Sequence, residues 1–420
     1  MANRPNGQGG SVVPDIAAAD YKKDFPLLQE LDIAYLDNSA TSQRPLCVVE
    51  AERDFYLKHN ANPLRGLYKL AMEATDAYED AREAVRKFIN AEYNEEIIFT
   101  RNTSESLNLV AYSYALSVLQ HGDEVVTTIM EHHSNLLPWR MACEKCGAAL
   151  KFIDCEADGS LTDAAMEKAI TAKTKIVAVA QVSNVLGRLN PVEKIIALAH
   201  ERGAVAVIDA AQSAPHMPVD VRKLDADFLA FSGHKMFGPM GIGVLYGKKK
   251  LLEAMTPFLR GGEMISWVSR TDQEYAPLPH KFEAGTVNAA GAAGLHAAIN
   301  YINSVGFDVI QERERLLTEM MFNGMQQIPH VNIIGGRTAA EHHGIITFTV
   351  DGVHPHDIAA ILDADGVNIR AGNHCAQPLL DHLCTGATAR ASLAFYNDAK
   401  DVQRFLDSVS TLRERMGYDR

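Results

Sequence analysis

Lys235 ends the run DFLAFSGHK, residues 227–235, and the glycine-rich FGPMGIG follows it. A lysine at a strand end is ordinarily just solvated, but Ser232 and His234 offer an anion two donors beside this amine. In a polar cleft near other cations, such an amine loses its proton and forms a Schiff base. Upstream, AVAVIDAAQS ends another apolar run with Asp209, followed by Gln212. Asp209 reads either as a cap of the next helix or as the carboxylate that keeps a pyridinium nitrogen protonated, the pairing that makes pyridoxal phosphate an electron sink. In FTRNTSESLNLVA, residues 99–111, strand passes to helix through Asn102, Thr103 and Ser104. An N-cap at Thr103 or Ser104 is the commoner meaning of such hydroxyls; a helix amino terminus with two of them is also a ready phosphate site. His132 and His133 in MEHHSN have no acidic or cysteine partners at fitting spacing, so no metal is expected, and stacking of one imidazole on a flat ring is the better reading.

RAGNHCAQPLL, residues 370–380, places Cys375 among residues that suit a loop better than a core helix or strand. A cysteine is most often a small buried apolar residue. Here Gly372, Asn373 and Pro378 break regular structure, and Arg370 and His374 bring potential positive charge beside the thiol, which favours its thiolate. CEKC, residues 143–146, is a lone CxxC with no second pair at zinc spacing and is expected on a helix without a redox or metal role.

These residues need a scaffold that brings strand ends together. From about residue 90 to 250, β-branched runs (EEIIFT, DEVVTTIM, KIVAVAQVS, AVAVIDA, DFLAFSG, GIGVLYG) alternate with helical stretches. That alternation predicts an α/β domain around a mostly parallel sheet. Functional groups in such sheets gather beyond the carboxyl ends of the strands. After about residue 290 come the helical patterns AAGLHAAINYIN, IQERERLLTEMMFNGM and DVQRFLDSVSTLRERM, with two short strands near NIIG and GIITFTV, which predicts a smaller α+β domain. The expected division is a disordered tail at residues 1–20, a large domain at 21–290 and a small domain at 291–420 carrying the Cys375 segment, to which the amino-terminal segment contributes.

The 420 residues, 47% of them hydrophobic, exceed what one core usually holds. A net charge of −13 leaves no basic stripe for nucleic acid. Six irregularly spaced cysteines do not form a disulfide framework and fit a reducing cytoplasm. The start MANRPNGQGGSVVP lacks the apolar run of a signal peptide, and no stretch offers 18 uninterrupted apolar residues, so neither export nor membrane spanning is expected.

SGHK with its glycines, VIDAAQS, EHHSN, VSNVLG and RAGNHCAQPLL occur together in an order that closely resembles the pyridoxal-phosphate-dependent cysteine desulfurases of the SUF type, group II, over residues 25–415. The resemblance implies the fold type I architecture of aspartate aminotransferases, with a large seven-stranded sheet domain and a small carboxyl-terminal domain, in a homodimer. By position, Lys235 matches the Schiff-base lysine, Asp209 the partner of the pyridine nitrogen, Gln212 the residue bonding the ring hydroxyl and His132 the ring stacked on the cofactor. Thr103, Ser104, Ser232 and His234 fall at phosphate-binding positions, and Thr286 in FEAGT matches a threonine reaching the phosphate of the neighbouring subunit. Asn184 and Arg390 match substrate-side positions, Arg390 being expected to grip the substrate carboxylate; Arg370 is counted with them. Cys375 matches the nucleophile that takes sulfur from L-cysteine, leaving L-alanine, and passes it to a SufE-like or SufU-like acceptor for iron-sulfur cluster assembly. An aminotransferase or a selenocysteine lyase on the same fold is the alternative. The chain departs from the family at Asn373 and Leu64, where histidine is common.

Overall fold

The computed structural model describes residues 20–418. The tail expected at residues 1–20 lies outside these except for Asp20. After a short strand β1 (Ala34–Tyr35), the alternating region forms β2 (Ile97–Thr100), β3 (Glu124–Thr128), β4 (Ala149–Ile153), β5 (Thr174–Ala180), β6 (Val205–Asp209), β7 (Phe228–Ser232) and β8 (Gly243–Gly247). These seven strands lie in the order β2-β8-β7-β6-β5-β3-β4. β8 runs antiparallel to both its neighbours and every other pair is parallel. Strands covered on both faces need apolar residues at every position. Accordingly Val177, Val179, Ile208 and Phe231 enter one core layer, while Ile176, Ala178, Val207 and Phe228 enter the other.

β9 (Ile265–Val268) and β10 (Gln273–Tyr275) form an exposed hairpin. Beyond it lie β11 (Val331–Ile334), β12 (Ile345–Val350), β13 (Val367–Asn368), β14 (Arg370–Gly372) and β15 (Thr388–Ser392). Where two strands were expected, an antiparallel sheet of four is found, in the order β11-β12-β15-β14. The two additional strands, RAG and TARAS, are short and offer only alanine as an apolar residue, so their state is set by pairing, TARAS with β12 and RAG with TARAS, rather than by a strong local pattern. β1 pairs in parallel with β13, and Asp37 bridges to Ser392, so Ala34 and Leu36 join the core of this second sheet with Phe348, Ile358 and Phe405. The helix Ala289–Val305 starts just before residue 290 and packs Leu295 and Ile299 into the larger core. Among the described residues no helix is long and apolar enough to cross a membrane.

One buried ion pair ties the long helix Lys69–Phe88 to the sheet and to the segment leading to Thr286. Arg82 donates through Nη1 to Glu283 Oε1 at 2.8 Å and to the Ile97 carbonyl, and through Nη2 to Glu283 Oε2 at 2.9 Å. Tyr78 Oη and the Phe99 amide also donate to Glu283. Burial alone pushes the Glu283 carboxyl up; the Arg82 charge, with hydrogen bonds from His280, Arg82 and the Phe99 amide, outweighs it and holds it at about 2. Removing one partner strands the other charge in the core. Arg82→Ala is therefore expected to destabilise the fold by about 3–5 kcal/mol, measured as a lowered midpoint in guanidinium titration; a loss within experimental error would show that the pair contributes nothing.

Candidate active site

The carboxyl ends of the parallel strands converge on one cleft. His132 and Ser134 follow β3, Asn184 follows β5, Asp209 ends β6, and Ser232, His234 and Lys235 close β7; all seven line the cleft. The helix Thr103–Val110 points its amino terminus into the same space from β2. Its N-cap is neither Thr103 nor Ser104 but Asn102, whose side chain accepts the Glu105 amide at 3.0 Å, which leaves both hydroxyls for other partners. The Thr103 amide donates to Ser232 Oγ at 2.8 Å, the Thr103 and Ser232 hydroxyls meet at 2.6 Å, and Ser104 Oγ meets Ser134 Oγ at 2.6 Å. β8 passes this helix end so closely that a Cβ on Gly243 would sit 2.5 Å from Asn102 Cα, so only glycine permits the approach.

On the other wall stand two arginines of the small sheet. Arg370 on β14 and Arg390 on β15 are directly opposite in the antiparallel register, an arrangement that like charges ordinarily avoid. Arg390 is fully buried. Its Nη1 donates to the Asn184 carbonyl at 2.8 Å, its Nη2 to Asp37 Oδ1 at 3.2 Å, and its Nε has no partner.

The Lys235 amine makes no hydrogen bond among the described residues. Burial lowers it to about 8; Asp209 opposes that fall, and the charges of Arg390 and Arg370 add to it. Burial raises the Asp209 carboxyl, with the Ala211 amide and Lys235 pulling it back. Gln212 reaches the Ser39 carbonyl at 2.9 Å. His132 is held at about 3 by burial and then by Lys235, so its imidazole is neutral, and its Nδ1 accepts the Ser134 amide at 3.1 Å, which puts the ring proton on Nε2. His234 falls to about 4 for the same reasons and lies 3.3 Å from Thr41 Oγ1.

Cys375 does not sit in a loose loop. β14 leads into a tight turn, Asn373 to Ala376, closed by the Ala376 amide on the Asn373 carbonyl at 2.9 Å, and the helix Gln377–His382 follows at once. His374 and Cys375 both take left-handed backbone, φ 49° and 56°, a strained state for residues with a Cβ. The turn is held from the large sheet: the His133 amide donates to the Cys375 carbonyl at 2.7 Å, and Asn184 Nδ2 to the His374 carbonyl at 2.8 Å. Arg370 Nη2 stands 3.6 Å from Cys375 Sγ. The expected charge on His374 is not there. Burial, with the two arginines, drives His374 to about 3, and its Nε2 faces Thr388 Oγ1 at 2.9 Å rather than the thiol. Of these two neighbours, Arg370 is the one that brings charge to the thiol.

Of the candidate catalytic, cofactor and substrate residues, all line this cleft except Cys375, which stands at its rim beside Arg370, and Thr286. Thr286 is exposed and lines a separate cavity with Phe99, Arg101 and Glu105. Cys143 lies buried on the helix Leu137–Cys146, apart from the cleft. Among the described residues no three histidine, cysteine or acidic side chains gather as a metal site. The sequence reading missed Ser39 and Ala40 in the cleft wall, and Asp37 and Glu131 near it. AYLDNSATSQ holds Asp37 to Ala40 far from the alternating region, and its only signal is a polar run following a short apolar one. Glu131 is wholly buried beside His132, bonded by Thr128 Oγ1, the Ala180 amide and Asn135 Nδ2, and burial lifts it to about 7.

A lysine amine between a buried carboxylate and a helix amino terminus, on a mostly parallel sheet faced by a small antiparallel one, defines an aminotransferase-like α/β enzyme. The family model for aminotransferase class-V matches residues 34–405. The chain is 48% identical over 405 residues to a probable cysteine desulfurase of Halalkalibacterium halodurans, covering 96% of this chain and 99% of that one. It superposes with TM-score 0.91 and 44% identity on the apo cysteine desulfurase from Thermococcus onnurineus NA1, covering 94% of this chain and 98% of that one. The likeness of fold extends, at 22% identity and TM-score 0.82 over 93% of this chain and 99% of the other, to a C-DES mutant with glycine covalently linked to its PLP cofactor. The chain therefore belongs to the aminotransferase class-V family and, within it, to the cysteine desulfurases.

The cofactor of this class is pyridoxal phosphate, and the residues present fit it. Asp209 is a buried carboxylate with a single amide donor and space for a cationic ring nitrogen, the hydroxyls of Thr103, Ser104 and Ser232 cluster at a helix amino terminus, and the Lys235 amine is free to bond an aldehyde carbon. The amine attacks only when deprotonated. Capture of pyridoxal phosphate by the cofactor-free protein is thus expected to accelerate as pH rises through about 8, and Asp209→Asn, which removes the charge holding the amine protonated, to move that midpoint down. Stopped-flow absorbance reads both; a pH-independent rate would remove Lys235 titration from the step.

Proposed function

We propose that this chain converts L-cysteine to L-alanine and carries the released sulfur on Cys375 to an acceptor protein. The observation that carries the reading is the strained Cys375 turn on the cleft rim, its thiol 3.6 Å from Arg370 and its carbonyl bonded to the loop that bears His132 and His133. Lys235, Asp209, Gln212, His132, Thr103, Ser104, Ser232 and His234 hold the cofactor, whose ring withdraws electrons from the substrate Cα when bound. Arg390, with Asn184 beside it, takes the substrate carboxylate through its unpartnered Nε and the adjoining Nη2, a fork suited to two oxygens. Lys235, whose amine is easily deprotonated, moves the Cα proton. Cys375 Sγ then attacks the substrate sulfur. An S–S bond forms as the substrate C–S bond breaks, the electron pair stays with the three-carbon fragment, and that fragment leaves as alanine once protonated.

Further parts of the reading concern partners. The exposed Thr286 lies outside its own cleft, and Leu57, Leu67 and Trp267 expose large apolar surfaces, which supports a homodimer in which Thr286 reaches the phosphate of the other cleft. The sulfur acceptor is a SufE-like or SufU-like protein and the destination is iron-sulfur cluster assembly, a reading that rests on the SUF-type motifs. Six cysteines, all free, support a reducing cytoplasm.

Cys375→Ala is expected to retain the cofactor's visible absorbance but to lose roughly 100-fold or more of its sulfide and alanine production from L-cysteine with a reductant present; undiminished turnover would falsify the persulfide step. Lys235→Ala is expected to lose both the protonated-imine absorbance and turnover. An aminotransferase would instead consume a keto acid, and a selenocysteine lyase would ignore cysteine, so product analysis with each substrate separates the three.

A further inference from the structure

Asp37 has no part in the chemistry above, yet it touches the residue that grips the substrate. Its Oδ1 accepts from Arg390 Nη2 at 3.2 Å. Its place is fixed by backbone: it bridges to Ser392, two residues beyond Arg390 on β15, and its carbonyl accepts the amides of Ala40 at 3.1 Å and Thr41 at 3.3 Å. The cations that act on its carboxylate are Arg390, Arg370 and Lys235, the three that face the cleft.

The geometry of the guanidinium decides what this contact does. Nη1 is committed to the Asn184 carbonyl. Nε and Nη2 form the edge that takes a carboxylate through two parallel bonds. In the resting protein Asp37 holds one arm of that edge with one oxygen and leaves the other arm, Nε, buried and without a partner. An amino-acid carboxylate that completes both arms has to displace Asp37 from Nη2 or share it.

We propose that Asp37 is a resident competitor for the substrate's carboxylate: it neutralises half of the Arg390 fork between turnovers, so that L-cysteine must bind through more than its carboxylate and L-alanine is expelled once its other attachments are gone. This rests on the reading of Arg390 as the substrate-carboxylate site. Asp37 is here a positioning and specificity residue that acts through Arg390.

The direction of the effect separates this role from simple support. A supporting residue, when removed, leaves Arg390 misplaced and weakens carboxylate binding. A competitor, when removed, strengthens it. The holoenzyme with Asp37→Asn is therefore expected to show a KM for L-cysteine and an inhibition constant for L-alanine both lowered about 3- to 10-fold, with kcat unchanged or reduced because product leaves more slowly. The dissociation constant of acetate, read from the cofactor's absorbance, falls by the same factor. Cysteamine, which is cysteine without the carboxylate, keeps its wild-type affinity, and Asp37→Glu, which keeps the charge, moves alanine affinity back toward the wild-type value.

Weaker alanine and acetate binding in Asp37→Asn, unchanged binding, or an equal shift for cysteamine overturns the proposal. Asp37→Ser serves in its place if the Asn variant does not fold, and failure of both to fold makes Asp37 a structural residue and likewise overturns it. A wild-type protein that yields no alanine from cysteine would remove the desulfurase reading, while the acetate titration would still decide the competition at Arg390.

Discussion

Three cations, Lys235, Arg370 and Arg390, face one cleft, and the surrounding structure is arranged around the repulsion among them. Two of them stand opposite each other across β14 and β15, a pairing with no merit for a sheet alone. Burial and the neighbouring charges lower both Lys235 and Arg390. Two carboxylates, Asp209 from the large sheet and Asp37 from the amino-terminal segment, are set against them from opposite walls. Burial first, and nearby cations second, keep His132, His234 and His374 neutral, because another charge there would meet both desolvation and like charge. An anionic cofactor and the carboxylate of an amino-acid substrate therefore meet a site whose excess positive charge is built in advance.

That arrangement requires two sheets. The parallel sheet brings Lys235, Asp209 and the helix amino terminus to its carboxyl edge, as open α/β sheets generally do. The small antiparallel sheet brings both arginines and the thiol. The amino-terminal segment connects the two by pairing β1 with β13 before its chain turns toward the cleft at Ser39. The motifs are thus scattered from residue 37 to residue 390 because each layer supplies one wall.

Most of the large sheet was legible because its covered strands read as apolar runs with polar residues near their ends. Lys235, Asp209 and Asn184 stand out for that reason. β4, ALKFI, was not legible, being an edge strand that leaves Ala149 and Lys151 exposed. β14 and β15 were not legible, since RAG and TARAS carry only alanine as an apolar residue, too weak a period to mark a strand without its partners. His374 was misjudged for a related cause: adjacency in sequence suggested a charge beside Cys375, whereas the left-handed turn directs the imidazole toward Thr388. Asp37 escaped notice because its partner Arg390 is 353 residues away, and Glu131 because its burial comes from the surrounding fold although two of its partners, Thr128 and Asn135, are close in sequence.

The two bonds that fasten the Cys375 turn, from the His133 amide and the Asn184 side chain, have a kinetic meaning. At about 1 kcal/mol net apiece they favour the fastened turn over one with both bonds open by roughly 30 to 1. On the proposed role of Cys375 as sulfur carrier, hand-over draws on the minority population in which these two bonds are open.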